Sequence, residues 1–389
     1  MNPSLDPEVA QPVPSPGYRI LVINPGSTST KVGVYLDAHP LLVSVIRHQP
    51  EELAPYKHIT EQHEFRRNLV LKWLEENNIP FVFDAIIGRG GLTKPIPGGV
   101  YRVNRKMCYD TFYALRKHAC NLGCLIAKEL AKMQTNGCQA YIADPAVVDE
   151  LLPEARISGS PLMPRLSIWH ALNQRAIARR HAKEMGTTYD KLNLIVCHLG
   201  GGISIAAHQQ GRAVDANNAL DGEGPLSPER AGTLPASDLI HLCFSGRYTE
   251  DQLKRRVAGK AGLMAHLGTT DVRQILTMKD AGDKRAALLI DAMIFHTAKS
   301  IAAEGAVLKG KIDAILITGG MAYSDYITNH LRERVDWMAP VYVYPGEDEM
   351  EALALNALAV LTQLQRQNLF LIKFQSVFAP LSFQLVDYQ

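Results

Sequence analysis

The chain has 389 residues, enough for two or three domains at about 150 residues each. Its 41 Lys and Arg against 39 Asp and Glu leave a net charge of +2 with no basic block, which excludes the electrostatic footprint of a nucleic-acid binder. A composition 47% hydrophobic and 21% charged excludes a disordered chain, and 29 glycines are too few for a collagen-like or linker-like one.

Residues 1–17 carry Pro3, Pro7, Pro12, Pro14 and Pro16, and no Lys or Arg, which predicts a disordered leader rather than a signal peptide. Residues 18–22 are rich in β-formers, 24–31 in turn-formers and 32–36 in β-formers again, predicting a strand, a polar turn and a returning strand. A strand over 85–87 runs into Gly88-Arg89-Gly90-Gly91. The run 141–143 ends at Asp144, ahead of Pro145. A helix is expected over 166–185, with His170 within it and Ile168, Leu172, Ala176 and Ile177 along one side. The strand–turn–strand pattern then recurs as 193–198, Gly200-Gly201-Gly202 and 203–207. Arg230 follows in a loop rich in Gly and Pro, 222–232.

Further on, 286–308 is apolar enough for a buried helix, and 314–317 forms a strand leading into Gly319-Gly320. Past Pro345-Gly346, a helix over 349–364 has acidic residues in its first turn, where the helix dipole favours them. Four of the ten phenylalanines, Phe370, Phe374, Phe378 and Phe383, fall in the C-terminal tail, where packing against the body or a partner subunit is expected. No uninterrupted apolar run approaches the roughly 18 residues of a membrane span. Strands alternating with helices predict an α/β fold, and the repeated strand–turn–strand unit predicts two similar halves facing a cleft.

Several segments carry chemistry. The 24–31 turn offers backbone N–H groups, the hydroxyls of Ser27, Thr28, Ser29 and Thr30, and the cation of Lys31. That inventory suits a phosphate chain, and it equally suits a plain polar hairpin. Gly200-Gly201-Gly202 and Gly319-Gly320 would let a ligand approach the backbone, or simply make tight turns. No Walker A loop is present, because Gly259-Lys260 is followed by Ala261, and Ile205 occupies the last glycine position of a dinucleotide fingerprint. Arg89, Asp144, His170 and Arg230, with the cluster Glu347, Asp348 and Glu349, are charges in apolar or glycine-rich settings, each open to a structural reading as well. His118, Cys120 and Cys124 share one helical turn but are too few for a zinc site. The six cysteines show no C-x-x-C and fit reduced thiols in a cytosolic chain. Phosphate-friendly turns, two arginines and an acidic cluster able to hold Mg²⁺, without a nucleophile–base pair, together favour phosphoryl transfer.

At these residues the sequence resembles the acetate and butyrate kinase family of the sugar-kinase/actin/Hsp70 superfamily, along roughly residues 18–364. Asn-Pro-Gly-Ser-Thr-Ser-Thr-Lys (24–31) is similar to its phosphate motif, and Cys-His-Leu-Gly-Gly-Gly-Ile-Ser-Ile (197–205) to its second glycine motif. The Gly-Arg-Gly-Gly and His-Leu-Gly-Gly-Gly variants, with segments 167–179 and 221–235, resemble the butyrate rather than the acetate members. The resemblance implies a duplicated two-domain actin/sugar-kinase-like (ribonuclease H-like) fold with an interdomain cleft. One domain would span 18–155, completed by the helix 349–365. The other would span 156–348, and 366–389 would be an apolar tail.

The resemblance also implies ATP/ADP and Mg²⁺ as cofactors, and a short-chain fatty carboxylate as acceptor. Asn24, Ser27, Ser29 and Lys31 match the phosphate end, and His198, Gly200, Gly201, Gly202, Gly319 and Gly320 the nucleotide contacts. Arg89, His170, Arg230 and Asp144 match catalytic groups, His118 more loosely, and Asn24 with Glu349 (Glu347 as the alternative acid) the metal site. A cytoplasmic homo-oligomer, dimer or higher, without nucleic-acid or membrane partners is expected. The alternatives are an acetate or propionate kinase on the same scaffold and a non-catalytic actin-like ATP-binding switch.

Overall fold

A computed structural model describes residues 17–114 and 116–373, without the side chains of 365–373. The proline-rich leader up to residue 16 and the phenylalanines of the tail lie outside the described residues and side chains.

The first sheet comprises β1 (Arg19–Pro25), β2 (Ser29–Leu36), β3 (His39–Arg47), β4 (Ala85–Arg89), β5 (Val100–Arg102) and β6 (Gln139–Ala143), in the order β3-β2-β1-β4-β6-β5. The second comprises β7 (Asn193–Leu199), β8 (Ile203–Gln209), β9 (Arg212–Ala216), β10 (Ala314–Gly319) and β11 (Val341–Pro345), in the order β11-β10-β7-β8-β9. The two share one plan. In each, an antiparallel meander (β1–β2–β3, β7–β8–β9) continues through its first strand into two parallel strands (β4 and β6, β10 and β11). The central strands β1 and β7 read as continuous apolar runs because both their faces are covered.

On the first sheet, helix Asn121–Lys132 covers one face, burying Leu122, Ile126 and Leu130, and helix Glu349–Lys373 covers the other with Leu353, Ala354 and Ala357. The first of these helices sits unusually close. A Cβ added at Gly88 would lie 2.1 Å from the Gly123 carbonyl oxygen, and one at Gly123 2.3 Å from that of Arg89. Two facing glycines thus bring the helix N-terminus against the end of β4, beside Arg89.

On the second sheet, helix Lys284–Val307 is capped by Asp283, whose carboxylate accepts from the amides of Arg285 and Ala286. By length and composition this helix could cross a membrane, yet Ile290, Met293, Ile294, Ala298 and Ile301 are core residues packed with β7 and β8. The opposite face carries helix Ala171–Glu184, with Ile177 and Ala178 against Leu194, Val196 and Leu316.

The helix expected over 166–185 therefore starts later, at Ala171. Ser167 Oγ (2.5 Å) and Trp169 Nε1 (2.9 Å) both donate to the Val148 carbonyl, which holds this stretch extended against a loop of the first half. His170 becomes the residue preceding the helix rather than one inside it. The helix expected over 349–364 instead runs on to Lys373.

Candidate active site

The turn between β1 and β2 closes with a hydrogen bond from Gly26 N to Ser29 O (2.7 Å), leaving Ser27 and Thr28 exposed. At the end of β1, Asn24 is buried. Its Nδ2 donates to Glu349 Oε2 at 2.7 Å, while the other oxygen of Glu349 meets Arg89 Nη2 at 2.9 Å. One buried carboxylate thus links the ends of β1 and β4 from the start of the last helix.

Arg89 opens into a small cavity of about 90 Å³, together with His118, His170 and Arg230. The rest of the lining is largely apolar: Leu92, Cys120, Ile168, Trp169 and Leu220. Arg230 Nε is buried with no hydrogen-bond partner. Burial pushes the Arg230 pKa down, against the attraction of Glu229 and Asp221. The loop that presents it is fixed from behind: Ser227 Oγ donates to Gly201 O (2.7 Å) and accepts from Arg230 N (3.1 Å).

Both histidines in the cavity are held neutral. Burial, then the charges of Arg89 and Arg230, lower the His118 pKa to about 4. Its Nδ1 accepts from the Cys120 amide (3.3 Å), which leaves the proton on Nε2. Burial, then His198 and the two arginines, lower that of His170 well below its usual value. His170 Nδ1 contacts Ser204 Oγ at 2.8 Å, and its ring stacks on His198 with centroids 4.0 Å apart.

Beyond the glycine loop lies a larger cleft of about 790 Å³, lined by Gly200, Gly201, Glu229, Asp271, Gly320 and Glu347 among others. Gly202 and Arg230 face the small cavity while Gly200, Gly201 and Glu229 face the cleft, so this loop is the partition between the two. Glu347 lies 3.1 Å from His198 Nε2, and that contact chiefly lowers its pKa to about 2, with Arg89 and Lys31 contributing.

Several expected site residues are placed elsewhere. His198 is wholly buried, between His170, Glu347 and Asn173 Oδ1 (2.8 Å), and lines neither space. Gly319 sits just behind the cleft, with φ of 96° and room for no Cβ: one there would lie 2.4 Å from Leu199 O. Asp144 lies outside both linings. Its Oδ1 pairs with Arg175 Nε (3.0 Å) and accepts from Gly99 N (2.8 Å), and its Oδ2 accepts from Arg179 (3.1 Å). Both oxygens are engaged by helix Ala171–Glu184 and a neighbouring loop, so the carboxylate braces the two halves instead of facing the cavity.

Sequence reading did not single out Ser204, Asn173 or Glu229. Each looks like an ordinary polar residue until the fold brings it to the site. The nearest signal is the strand–glycine–strand spacing, which places Ser204 just after the turn.

Residues 166–338 match the Acetokinase family. A protein of Bacteroides thetaiotaomicron named probable butyrate kinase is 64% identical over 343 residues, 88% of this chain and 97% of that protein. Butyrate kinase 2 of Clostridium acetobutylicum is 48% identical over 347 residues, 89% of this chain and 97% of that protein. Among solved structures, the Porphyromonas gingivalis acetate kinase aligns with a TM-score of 0.72 at 18% identity, covering 88% of this chain and 100% of that one. A propionate kinase from Francisella tularensis gives 0.69 at 17%, covering 87% and 98%. These two solved structures share the fold described above.

Proposed function

The chain belongs to the acetokinase family, and from that premise we propose that it is a butyrate kinase: it transfers the γ-phosphoryl group of ATP reversibly to butyrate or a related short-chain fatty acid, giving the acyl phosphate and ADP. The observation that carries this reading is Arg230, whose buried Nε has no partner where a cationic wall meets an apolar one. Such a cavity suits a small molecule with an anionic head and a short hydrocarbon tail.

A butyrate carboxylate is ionised at neutral pH and needs no general base. The barrier is repulsion between two anions. In this reading Arg89 and Arg230 neutralise the carboxylate and the moving phosphoryl group, while neutral His118 and His170 offer hydrogen bonds to it. In this reading the nucleotide occupies the larger cleft at Gly200 and Gly201, and its phosphates reach out to the 26–29 turn and Lys31, which line neither space. The transfer point, in the same reading, is where cleft and cavity meet, at the glycine partition.

Mg²⁺ fits the oxygen donors at the base of this arrangement. Asn24 and Arg89 already engage both Glu349 oxygens, so Glu349 and Asn24 would hold the ion through its own water shell, with Glu347 nearby. When bound, the ion supplies charge neutralisation at the phosphate oxygens.

A panel of C2 to C6 carboxylates with ATP and Mg²⁺, the acyl phosphate trapped by hydroxylamine, tests the reading. Highest kcat/KM is expected on C4 or branched C4–C5 acids. A maximum on acetate would make the chain an acetate kinase, and ATP binding with no trapped product from any acid would make it a switch. The same reading includes a cytoplasmic homo-oligomer. Light scattering would check it.

A further inference from the structure

Beneath the 26–29 turn lies a cation that meets no carboxylate. Arg66, from helix His63–Glu76, is 0% exposed. The acceptors of its guanidinium are all neutral: Gly26 O at 2.6 Å, Ser27 O and Ser29 O at 3.0 Å, Thr30 Oγ1 at 3.3 Å, and Gln62 Oε1 at 2.8 and 3.1 Å. Among the described residues no Asp or Glu lies within ion-pair distance of it. Burial pushes its pKa down to about 10, so it remains charged at neutral pH. Nearby His48 offers no compensation: burial first, and then Arg66, lowers its pKa to about 4. Buried charges normally have an ionic partner, and this one has none within the protein.

The same bonds aim the turn. Arg66 takes the carbonyls of Gly26, Ser27 and Ser29, and that of Thr28 accepts from His48 N at 2.9 Å. All four carbonyl oxygens are therefore occupied, while Ser27 and Thr28 stay exposed. An anion arriving at the tip meets N–H and O–H donors, with a positive charge behind them and no free carbonyl in front.

We propose that Arg66 is a positioning residue for the nucleotide's polyphosphate, and that this polyphosphate is its missing counter-ion. The inference rests on the proposed function only in taking a nucleoside polyphosphate as the ligand of the turn.

Gln62→Glu tests it, because the change is isosteric and gives Arg66 a carboxylate within the protein. A purely structural Arg66 would gain from this and lose no nucleotide affinity. Under the proposal, the variant melts at the same or a higher temperature but binds inorganic pyrophosphate and ADP about tenfold more weakly by calorimetry. KM for ATP rises by a similar factor and KM for the carboxylate does not change.

Arg66→Lys keeps the charge but not the fork that holds the three carbonyls, so the folded variant should melt lower yet lose less pyrophosphate affinity than Gln62→Glu does. Affinities of Gln62→Glu within twofold of wild type would overturn the proposal. So would a folded Arg66→Lys protein with a loss as large as that expected of Gln62→Glu, or a wild-type chain that binds neither pyrophosphate nor ADP. If wild type binds pyrophosphate in this charge-dependent way yet yields no acyl phosphate, the positioning role stands and the kinase reading falls. An active kinase whose Gln62→Glu variant keeps its KM for ATP gives the reverse.

Discussion

Arg230 has little to lose structurally and much to contribute chemically. Its Nε makes no hydrogen bond, so truncation removes no internal contact there and relieves a buried charge. Arg230→Ala should keep its urea midpoint and lose about 10²–10³-fold in kcat, the usual cost of removing one group that stabilises developing charge. Near-normal turnover in the folded variant would remove Arg230 from the mechanism. The neutral histidines make a separate, pH-dependent contribution. His118 and His208 have pKa values lowered by burial to about 4 and about 3, from 6.5 in an unfolded chain. Between those values the unfolded state binds more protons than the folded one, so stability rises with pH through this window. These two groups should lower the melting temperature as pH drops from 6.5 towards 4 and contribute no slope above pH 7. His118→Asn should make that fall shallower. A slope unchanged by the substitution would mean that His118 is not buried as the neutral ring.

Among the elements, helix Ala171–Glu184 joins the halves, because Arg175 and Arg179 reach from it to Asp144 at the end of β6. Arg175 also pairs with Glu150 at 3.0 Å. Asp144→Asn strips two arginines of a buried carboxylate, and removing one partner of such a cluster typically costs about 3–5 kcal/mol. Urea denaturation should show that loss, with kcat of the remaining folded enzyme much less affected. An unchanged midpoint with a collapsed kcat would return Asp144 to the chemistry. The elements facing the cleft were legible locally. β1 and β7 are apolar runs broken by turns rich in Gly and Ser, and such runs have few other outcomes. What escaped depends on tertiary partners. Arg66 and Arg67 are neighbours on one helix, yet the fold buries the first under a turn and pairs the second with Glu129. Likewise the start of the helix at Ala171 is set by Val148, a remote carbonyl that no local pattern encodes. At the site, Arg89, His170 and Arg230 converge on the cavity, whereas the strand-end position of Asp144 suggested a ligand group and long-range pairing makes it a brace.

At the scale of the molecule, the chain crosses from the second sheet back to the first within a few residues. Pro345 closes β11, Glu347 stands beside His198, and Glu349 already binds Asn24 and Arg89. The last helix then runs along β1 until Tyr18 Oη donates to Leu361 O at 3.4 Å. Its Met350, Leu353, Ala354 and Ala357 pack with Ile20, Val22, Tyr35, Ala85 and Ile87 in one buried cluster, to which Leu172 also belongs. We propose that the first half cannot fold as a contiguous stretch of sequence. A fragment of residues 18–155 should lack a cooperative thermal transition and bind an environment-sensitive apolar dye, because uncovered apolar area costs about 25 cal/mol per Å². Adding a peptide of residues 345–373 should restore a cooperative transition by circular dichroism, whereas the same peptide with Leu353→Asp should not. A fragment that melts cooperatively alone would show that helix Asn121–Lys132 and the sheet suffice. Glu349 would then be carried to Asn24 and Arg89 by an appended helix, not by a member of the first core.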